Sequence, residues 1–356
     1  MGQKLEMCPR IALLTVTSPS GEVGGAERLN EGLTSALNAS GLKTDRIDVT
    51  ADETSFDALL RSYLRFYDTD LSAYDGVIST KAPSFVVRHR RHTVYLLHTI
   101  RTFYDMFDET FSHPSAEAMA QRDLILRIDT AAFSRPSIRG VFVVGDEVKQ
   151  RLLTYNGIAS TVIHHPTFQP TRSVGQPDLK QRSYVLLPGR LHRWKRVDLA
   201  FEAFRHVHND IELIICGVGD DEARLKTLSD DLTNVSFLGH VSDAVLSDLY
   251  AGALAVVFSP VREDYGLITI EAFLNGKPVL TCTDSGEPAR LVKDGINGFV
   301  CPPNPVLIAE RVDWLFENAA IAKNMGAEGR QFALQIGWEG VCSTLVDSLN
   351  LDDGPI

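Results

Sequence analysis

Two glutamates with seven residues between them, Glu263 and Glu271, enclose the segment EDYGLITIE. The segment follows the apolar run LAVVFSP, and Gly266 stands where a buried strand would turn into a helix. Backbone N–H groups at a helix start can bind an anion, and carboxylates accept hydrogen bonds from hydroxyl groups. The spacing therefore predicts amides at Gly266, Leu267 and Ile268 for a phosphate, with one carboxylate for each of two polyols. The alternative for Glu271 alone is that it balances the helix dipole.

A second group of charged residues follows another apolar run. In PGRLHRWKR, which comes after YVLL, Arg190 and Lys195 lie just beyond Gly189. Two cations at the carboxyl end of a strand suit a phosphate or diphosphate, and the alternative is a solvated charged loop. The segment CGVGDDE contains two glycines but lacks the GxGxxG spacing, so we interpret it as a tight turn, with close backbone approach as the alternative.

The elements that must position these residues alternate between short apolar or strand-like runs and helical patterns. The runs are RIALLTV, KTDRIDV, GVISTKA, TVYLLHT and GVFVVGD, followed by SYVLLPG, IELIICG, NVSFLG, LAVVFSP, KPVLTC and GFVC. This alternation is typical of parallel sheets covered by helices on both faces. Residues 168–183 are polar and predict a linker. We therefore expect two doubly wound α/β domains, with ligands bound at the carboxyl ends of the strands, in the cleft between the domains.

Composition narrows the class of protein. A net charge of −11 argues against a nucleic-acid binder, which usually has a basic face. Five scattered cysteines fit free thiols in a reducing compartment. No signal peptide or spanning apolar run is visible, so the expected location is the cytoplasm. The basic cluster RHRRH at 88–92 is either a solvated turn or a contact for an anionic or membrane-borne partner.

The second half of the chain resembles a known enzyme family. GRLHRWKRVDLAFEAF and EDYGLITIEAFLNGKPVLTCTDSGEPARLVKDGINGFV resemble the carboxyl-terminal domain of family four retaining glycosyltransferases, including the E-x7-E and G-R-x4-K patterns. GGAERL and the histidine of TVYLLHT match the family's amino-terminal half. The resemblance extends over about residues 10–345 and is to bacterial enzymes of glycan or natural-product synthesis.

The resemblance implies a GT-B fold, in which two Rossmann-like domains face a deep inter-domain cleft. Residues 1–175 would form an acceptor-binding domain, and residues 176–335 a domain that binds the nucleotide sugar. A terminal helix within residues 336–356 would cross back to the first domain.

The resemblance also implies a role for each candidate site residue. Arg190 and Lys195 would stabilise charge on the leaving diphosphate, Glu263 would hold the hydroxyls of the donor sugar, and His98 would orient that sugar. Glu271 would hold the ribose. The full donor-binding set would be Gly24, Gly25, Gly189, His240, Val241, Gly266, Leu267, Ile268 and Glu271, with Glu27 in the helical turn beyond the glycines.

The stretch 98–122 is rich in aromatic residues and allows two interpretations. It could form part of an acceptor wall, with Arg101 and Tyr104 as the side chains that reach the cleft. Alternatively, it is a helix packed on the sheet, with Phe103, Met106 and Phe107 in the core.

The reaction implied is retaining transfer of a sugar from a nucleoside-diphosphate sugar to an acceptor hydroxyl, in surface polysaccharide or glycoconjugate synthesis. UDP is the first expectation for the carrier and GDP the second. The mechanism would be front-face and would need no metal or other cofactor. Asp68-Thr-Asp70, a D-x-D pattern of the kind that can bind a metal, lies in a polar connection. The cationic pair Arg190 and Lys195 supplies the positive charge that a metal ion would provide.

Two alternatives remain open. They are a non-catalytic nucleotide-sugar binder and a nucleotide-sugar epimerase of the same fold. The acceptor is expected to be a glycan, a lipid-linked molecule or a small molecule, and peripheral attachment at the inner face of a membrane also stays open.

Overall fold

The computed structural model describes residues 9–19, 25–167 and 183–351. The chain divides into two compact units. Unit 1 comprises Met1–His165 and Gly337–Ile356, and unit 2 comprises Pro166–Ile336. The division falls at residue 165, whereas the sequence placed it at residue 175; most of the expected linker, residues 168–182, lies outside the described residues.

Unit 1 is built on a six-stranded parallel sheet in the order β2-β1-β3-β4-β5-β6. Its strands are β1 (Arg10–Thr17), β2 (Lys43–Thr50), β3 (Gly76–Ser79), β4 (His92–Leu96), β5 (Ile138–Val143) and β6 (Thr161–Val162). The helices before the linker are α1 (Gly25–Ala39), α2 (Phe56–Tyr67), α3 (Phe107–Thr110), α4 (Ala116–Phe133) and α5 (Asp146–Asn156). Central strands bear nearly continuous apolar runs because helices cover both faces of the sheet.

Unit 2 repeats this architecture with the strand order β12-β11-β10-β7-β8-β9, again parallel throughout. Its strands are β7 (Ser183–Pro188), β8 (Ile211–Cys216), β9 (Val235–Gly239), β10 (Ala255–Val257), β11 (Val279–Cys282) and β12 (Gly298–Cys301). Its helices are α6 (Val197–Phe204), α7 (Glu222–Leu228), α8 (Asp243–Gly252), α9 (Leu267–Leu274), α10 (Glu287–Leu291), α11 (Pro305–Glu317) and α12 (Ala319–Ala333). The reversal of strand order places β7 between β10 and β8, so loops distant in sequence meet at one edge.

The last helix, α13 (Trp338–Ser348), packs in unit 1. A Cβ atom on Gly32 of α1 would lie 2.5 Å from the Trp338 ring, so only glycine admits the indole there. At the other end of α13, the Ser348 hydroxyl lies 2.6 Å from the hydroxyl of Thr93 on β4. The carboxyl-terminal segment therefore completes the helical layer of the first unit.

The predicted pair of doubly wound α/β domains is confirmed by these two sheets. Each of the eleven predicted runs overlaps a strand. TVYLLHT is shorter than expected, because the chain leaves the ladder after Leu96 and Leu97 donates its N–H to the carbonyl of Thr80. The two-residue strand β6 was not predicted, since it is too short to show a pattern. No described helix combines the length and apolar character needed to cross a bilayer.

A buried carboxyl group links three elements of unit 1. Asp129 of α4 is fully buried and accepts hydrogen bonds from the hydroxyls of Tyr63 (2.8 Å) and Tyr104 (2.7 Å). Burial raises the pKa of Asp129 to about 7, against the opposing effect of the two tyrosine hydrogen bonds. The same burial, together with the Asp129 charge, raises the pKa of both tyrosines well above its ordinary value.

This carboxyl makes the stability of unit 1 pH-dependent. Its folded pKa is raised above the unfolded value of 3.8, so its contribution is complete below that value and is lost as pH rises through about 7. Between about pH 5 and pH 8, unit 1 should lose on the order of 2 to 3 kcal/mol from this group, and Asp129→Asn should remove that loss. Hydrogen exchange of amides in α4 measures it.

Asp123→Asn is the matched control, because Asp123 lies on the same helix in an exposed ion pair with Arg127. It should retain the full pH dependence of the wild type. An equal pH dependence in Asp129→Asn and the wild type would show that Asp129 is ionised throughout.

Candidate functional site

Glycines allow the loops after β7, β8 and β9 to approach one another. The Gly189 N–H donates to the carbonyl of Cys216 (2.8 Å), and the Gly217 N–H donates to the carbonyl of Gly239 (2.7 Å). Gly217 has φ +133, and a Cβ there would lie 1.9 Å from the Gly189 oxygen. Glycine is therefore required for this close approach, which was the alternative to the tight turn expected from the sequence. Within CGVGDDE a turn follows only after these residues, where the Glu222 N–H donates to the Gly219 carbonyl (3.2 Å).

The loop after β7 brings two of the predicted residues together. It continues through a 3-10 turn, Arg193–Lys195, and the Lys195 Nζ lies 2.7 Å from the Glu263 Oε2. The two side chains are 26% and 21% exposed, so the ion pair is accessible to a ligand. The ammonium also lies 5.4 Å from the centre of the Phe258 ring. Arg190, in the same loop, has an exposed side chain.

The backbone of Glu263 is held by the loop after β11. Its N–H donates to the carbonyl of Ser285, and its carbonyl accepts from the N–H of Glu287, each at 2.9 Å. Between them Gly286 has φ +75, and a Cβ there would lie 2.5 Å from the Glu263 oxygen. The sequence analysis did not identify this support. The only signal was a glycine shortly after the predicted strand KPVLTC.

Helix α9 begins at Leu267, as the sequence predicted, with Gly266 in the left-handed region at φ +77. Within the described ranges no side chain caps this helix, so the N–H groups of Leu267 and Ile268 have no side-chain acceptor. A Cβ on Gly189 would lie 2.8 Å from the Ile268 Cδ1, which places the helix start beside the loop after β7. An uncapped helix start beside the loop that carries Lys195 is suited to an anion.

Glu271 lies one turn into α9, and two hydroxyl groups orient its carboxylate. Tyr250 of α8 donates to Oε2 (2.8 Å) and Thr167 donates to Oε1 (3.3 Å). Burial and the Glu271 carboxylate raise the pKa of Tyr250 well above its usual value. Burial, with a contribution from Glu271, raises the pKa of Cys216 to about 12. Tyr250 and Thr167 gave no sequence signal.

His240 and Val241 lie in the loop after β9, at the same edge of the sheet. His240 is exposed and Val241 is partly buried. Helix α8 follows them, capped by the Ser242 side chain, which accepts from the Val245 N–H. All the unit 2 candidates thus lie at or beyond the carboxyl ends of β7, β9 and β10.

The unit 1 candidates are placed less completely. Gly24 lies outside the described residues, Gly25 is the first residue of α1, and Glu27 lies in its first turn. His98 lies two residues beyond β4 and is partly buried. Its Nδ1 lies 2.8 Å from the carbonyl of Thr99, and its own carbonyl accepts from the Ala82 N–H.

The aromatic stretch after His98 packs inside unit 1. Tyr104 is 1% exposed and binds Asp129, so it does not have the open side chain expected of an acceptor contact. Arg101 is 11% exposed and pairs with Asp105 (2.8 Å), which also pairs with Arg151 (2.7 Å). The remaining aromatic and apolar positions are buried as the packing alternative expected: Phe103, Met106 and Phe107. This segment is irregular because it splits into a 3-10 turn, Arg101–Phe103, and the short α3.

The D-x-D segment has local structural contacts. Asp68 pairs with Arg88 at 3.9 Å, and Asp70 accepts from the N–H of Ser72. Across residues 9–19, 25–167 and 183–351, no group of three or more His, Cys, Asp or Glu side chains is arranged to hold a metal ion.

Comparison with protein families and curated proteins identifies relatives of this chain. Residues 172–332 match the model described as Glycosyl transferases group 1. The chain is 33% identical over 148 residues to an uncharacterized glycosyltransferase of Methanocaldococcus jannaschii, covering 40% of this chain and 37% of that protein. It is 28% identical over 172 residues to the alpha-1,3/1,6-mannosyltransferase of Homo sapiens, covering 42% and 41%. The aligned part thus spans about two fifths of the length of these relatives.

Solved structures match nearly the whole chain. Sucrose-phosphate synthase from Thermosynechococcus elongatus has a TM-score of 0.74 at 18% identity, covering 95% of this chain and 98% of that one. Anabaena HepE, solved in complex with UDP and glucose, has a TM-score of 0.71 at 18% identity, covering 96% and 99%. At this identity the likeness establishes the fold, and it confirms the GT-B class expected from the sequence.

The Tyr250–Glu271 hydrogen bond should contribute measurably to the stability of unit 2. Tyr250→Phe leaves a carboxylate oxygen without its donor and should cost about 1.5 to 3 kcal/mol, as for hydrogen bonds to charged groups. Tyr184→Phe is the matched control, because this buried hydroxyl donates to a neutral acceptor, the Leu249 carbonyl, at 2.7 Å. It should cost only about 0.5 to 1.5 kcal/mol. Urea denaturation measures both, and equal costs would show that the Glu271 bond carries no charge assistance.

Proposed function

We propose that the protein, whose residues 172–332 match the model described as Glycosyl transferases group 1, is a retaining glycosyltransferase. It would move a sugar from a nucleoside-diphosphate sugar to an acceptor hydroxyl. The observation that carries the proposal is the Lys195–Glu263 ion pair at 2.7 Å, adjoining an uncapped helix start and a second, oriented glutamate.

The diphosphate of the donor would bind at the cationic side of this arrangement. Its oxygens would take the Lys195 ammonium and the N–H groups of Leu267 and Ile268, with Arg190 as a second cation in the same loop. A diphosphate competes with the Glu263 carboxylate for Lys195. Binding would therefore release Glu263, whose oxygens could then accept hydrogen bonds from the hydroxyls of the donor sugar.

The ribose of the donor would bind Glu271. Tyr250 and Thr167 each donate to a different oxygen of this carboxylate, and a carboxylate offers about four acceptor sites. The two protein hydroxyls fix the orientation of the carboxylate before the ligand arrives, which lowers the entropy cost of binding. The base would extend toward the loop after β9, where His240 and Val241 lie.

The proposed reaction is a front-face substitution. The bond between the anomeric carbon and the leaving phosphate oxygen breaks, and the acceptor oxygen bonds to the same face of that carbon. The acceptor proton passes to the leaving phosphate. Lys195, Arg190 and the α9 amides would stabilise the charge that develops on the diphosphate, so this proposal requires no metal. The roles given to His98, Gly24 and Gly25 stay predictions from the resemblance.

Relatives support the choice of donor and pathway. Anabaena HepE was solved with UDP and glucose and with UDP-glucose, which favours UDP as the first carrier to test and leaves GDP second. WaaG, whose fold is similar, is a glycosyltransferase involved in lipopolysaccharide biosynthesis. We therefore propose a surface glycan or glycoconjugate as the product.

A thermal-shift titration with UDP, GDP, ADP, TDP and CMP tests the donor site. One nucleoside diphosphate should raise the melting temperature selectively, with and without magnesium, because it binds only the folded state. At a concentration of about 100 Kd the stabilisation is about 2.7 kcal/mol. Glu271→Ala should weaken the shift, whereas the control Glu222→Ala should not, because Glu222 pairs with Lys226 on α7. No shift with any nucleotide would contradict the proposal.

Turnover is tested by the variant Lys195→Ala and by the stereochemistry of the product. Lys195→Ala should lower kcat by about 100-fold to 1,000-fold, because it removes a donor to the leaving group. Lys226→Ala is the matched control, since this lysine also pairs with a glutamate of unit 2 at 2.7 Å. NMR should show the anomeric configuration retained. Inversion would contradict the mechanism, binding without turnover would favour a non-catalytic binder, and an epimerised nucleotide sugar would favour the epimerase.

A further inference from the structure

Arg196 occupies an unusual backbone conformation directly after Lys195. It ends the 3-10 turn and precedes α6, with φ 48 and ψ 47 in the left-handed region. A residue with a side chain pays about 1 to 2 kcal/mol there, whereas glycine does not. Arginine at this position is therefore explained only if the contacts of its side chain stabilise the fold by more than this conformational cost.

The guanidinium of Arg196 joins the loops after β7, β10 and β11. Its Nε donates to the carbonyl of Ser259 (2.7 Å), and its Nη2 donates to the carbonyl of Pro260 (2.9 Å). Nη1 and Nη2 also bind the two carboxylate oxygens of Asp284 at 2.8 and 2.6 Å. The side chain of Arg196 is 17% exposed and that of Asp284 is 44% exposed. Only a planar fork of donors satisfies all these acceptors together, so lysine could not replace arginine here.

The residues held by Arg196 are those that place Glu263. Ser259 and Pro260 precede Glu263 in the loop after β10. Asp284 precedes Ser285, whose carbonyl accepts the Glu263 N–H, and the Asp284 carbonyl itself accepts the N–H of Arg262 at 2.9 Å. Arg196 is also the residue directly after Lys195 in the chain. One side chain thus fixes the backbone on both sides of the Lys195–Glu263 ion pair.

We propose that Arg196 and Asp284 are positioning residues that set the Lys195 ammonium against the Glu263 carboxylate and so shape the diphosphate site. The inference rests on the proposed function for its effect on ligand binding. Neither residue touches the ligand in this proposal. They act by keeping the lysine, whose stem is flexible, and the glutamate, whose loop lies 68 residues away in sequence, at a fixed separation.

The binding test compares Arg196→Gly, Arg196→Lys and Asp284→Asn with the wild type, using the nucleoside diphosphate that gives the largest thermal shift. Arg196→Gly relieves the backbone strain but removes the guanidinium. It should bind this nucleotide at least tenfold more weakly, a loss of about 1.4 kcal/mol. Arg196→Lys keeps the charge without the fork and should lose at least as much affinity. Asp284→Asn should lose less, because an oxygen acceptor remains.

Arg205→Gly is the matched control for a purely structural role. Arg205 also pairs with an aspartate, Asp231, and donates to a backbone carbonyl, that of Leu228, at 2.9 Å. It lies after α6, away from the loops that carry Lys195 and Glu263. Arg205→Gly should leave nucleotide affinity within about twofold of the wild type. Equal affinities of Arg196→Gly and Arg205→Gly would overturn the inference.

A second measurement needs no ligand. Lys195→Met and Glu263→Gln should shift the urea midpoint non-additively in the wild-type background, because each removes the same ion pair. In the Arg196→Gly background the two shifts should become additive. Persisting non-additivity would overturn the positioning role, even if no nucleotide binds. A wild type that binds no nucleotide, with the expected loss of non-additivity, would contradict the proposed function alone.

Discussion

The candidate site of unit 2 depends on the ion pair between Lys195 and Glu263. Its two groups come from loops after β7 and β10, and they lie 2.7 Å apart while partly shielded from water. Holding two opposite charges this close costs desolvation and side-chain entropy, which a surface pair seldom repays by much. The cost is understandable if the pair holds two ligand-binding groups in place before the ligand arrives. A diphosphate can take the lysine, and a sugar can take the glutamate.

The surrounding structure brings these loops together without steric conflict. Gly217 and Gly286 allow backbones to pass at distances that a Cβ would forbid, and Gly189 leaves room for the Ile268 side chain. The doubly wound strand order places β10 beside β7, so segments far apart in sequence share one edge. Arg196 then fixes the separation of the loops with four hydrogen bonds. The strand order, the glycines and Arg196 thus all determine where the same few side chains lie.

Much of this fold and candidate site could be predicted from the sequence, and the features that could not be predicted have physical causes. Short apolar or strand-like runs between helical patterns predicted eleven strands, because central strands covered on both faces are largely apolar and turn residues bound the others. Spacing also singled out Lys195, Glu263 and Glu271, since short motifs preserve local geometry. The Arg196–Asp284 and Tyr250–Glu271 contacts could not be predicted, because each depends on elements that only the tertiary fold brings together. Tyr104 looked accessible because its buried partner, Asp129, lies on another helix.

The most direct test of this account is a crystal structure of the protein with the nucleoside diphosphate that binds it. The account predicts a diphosphate oxygen within about 3 Å of the Lys195 Nζ, with the Glu263 carboxylate displaced from the lysine. It also predicts a ribose hydroxyl on Glu271, with Tyr250 still bound to the other side of that carboxylate. A diphosphate bound elsewhere, with the Lys195–Glu263 pair intact, would contradict it.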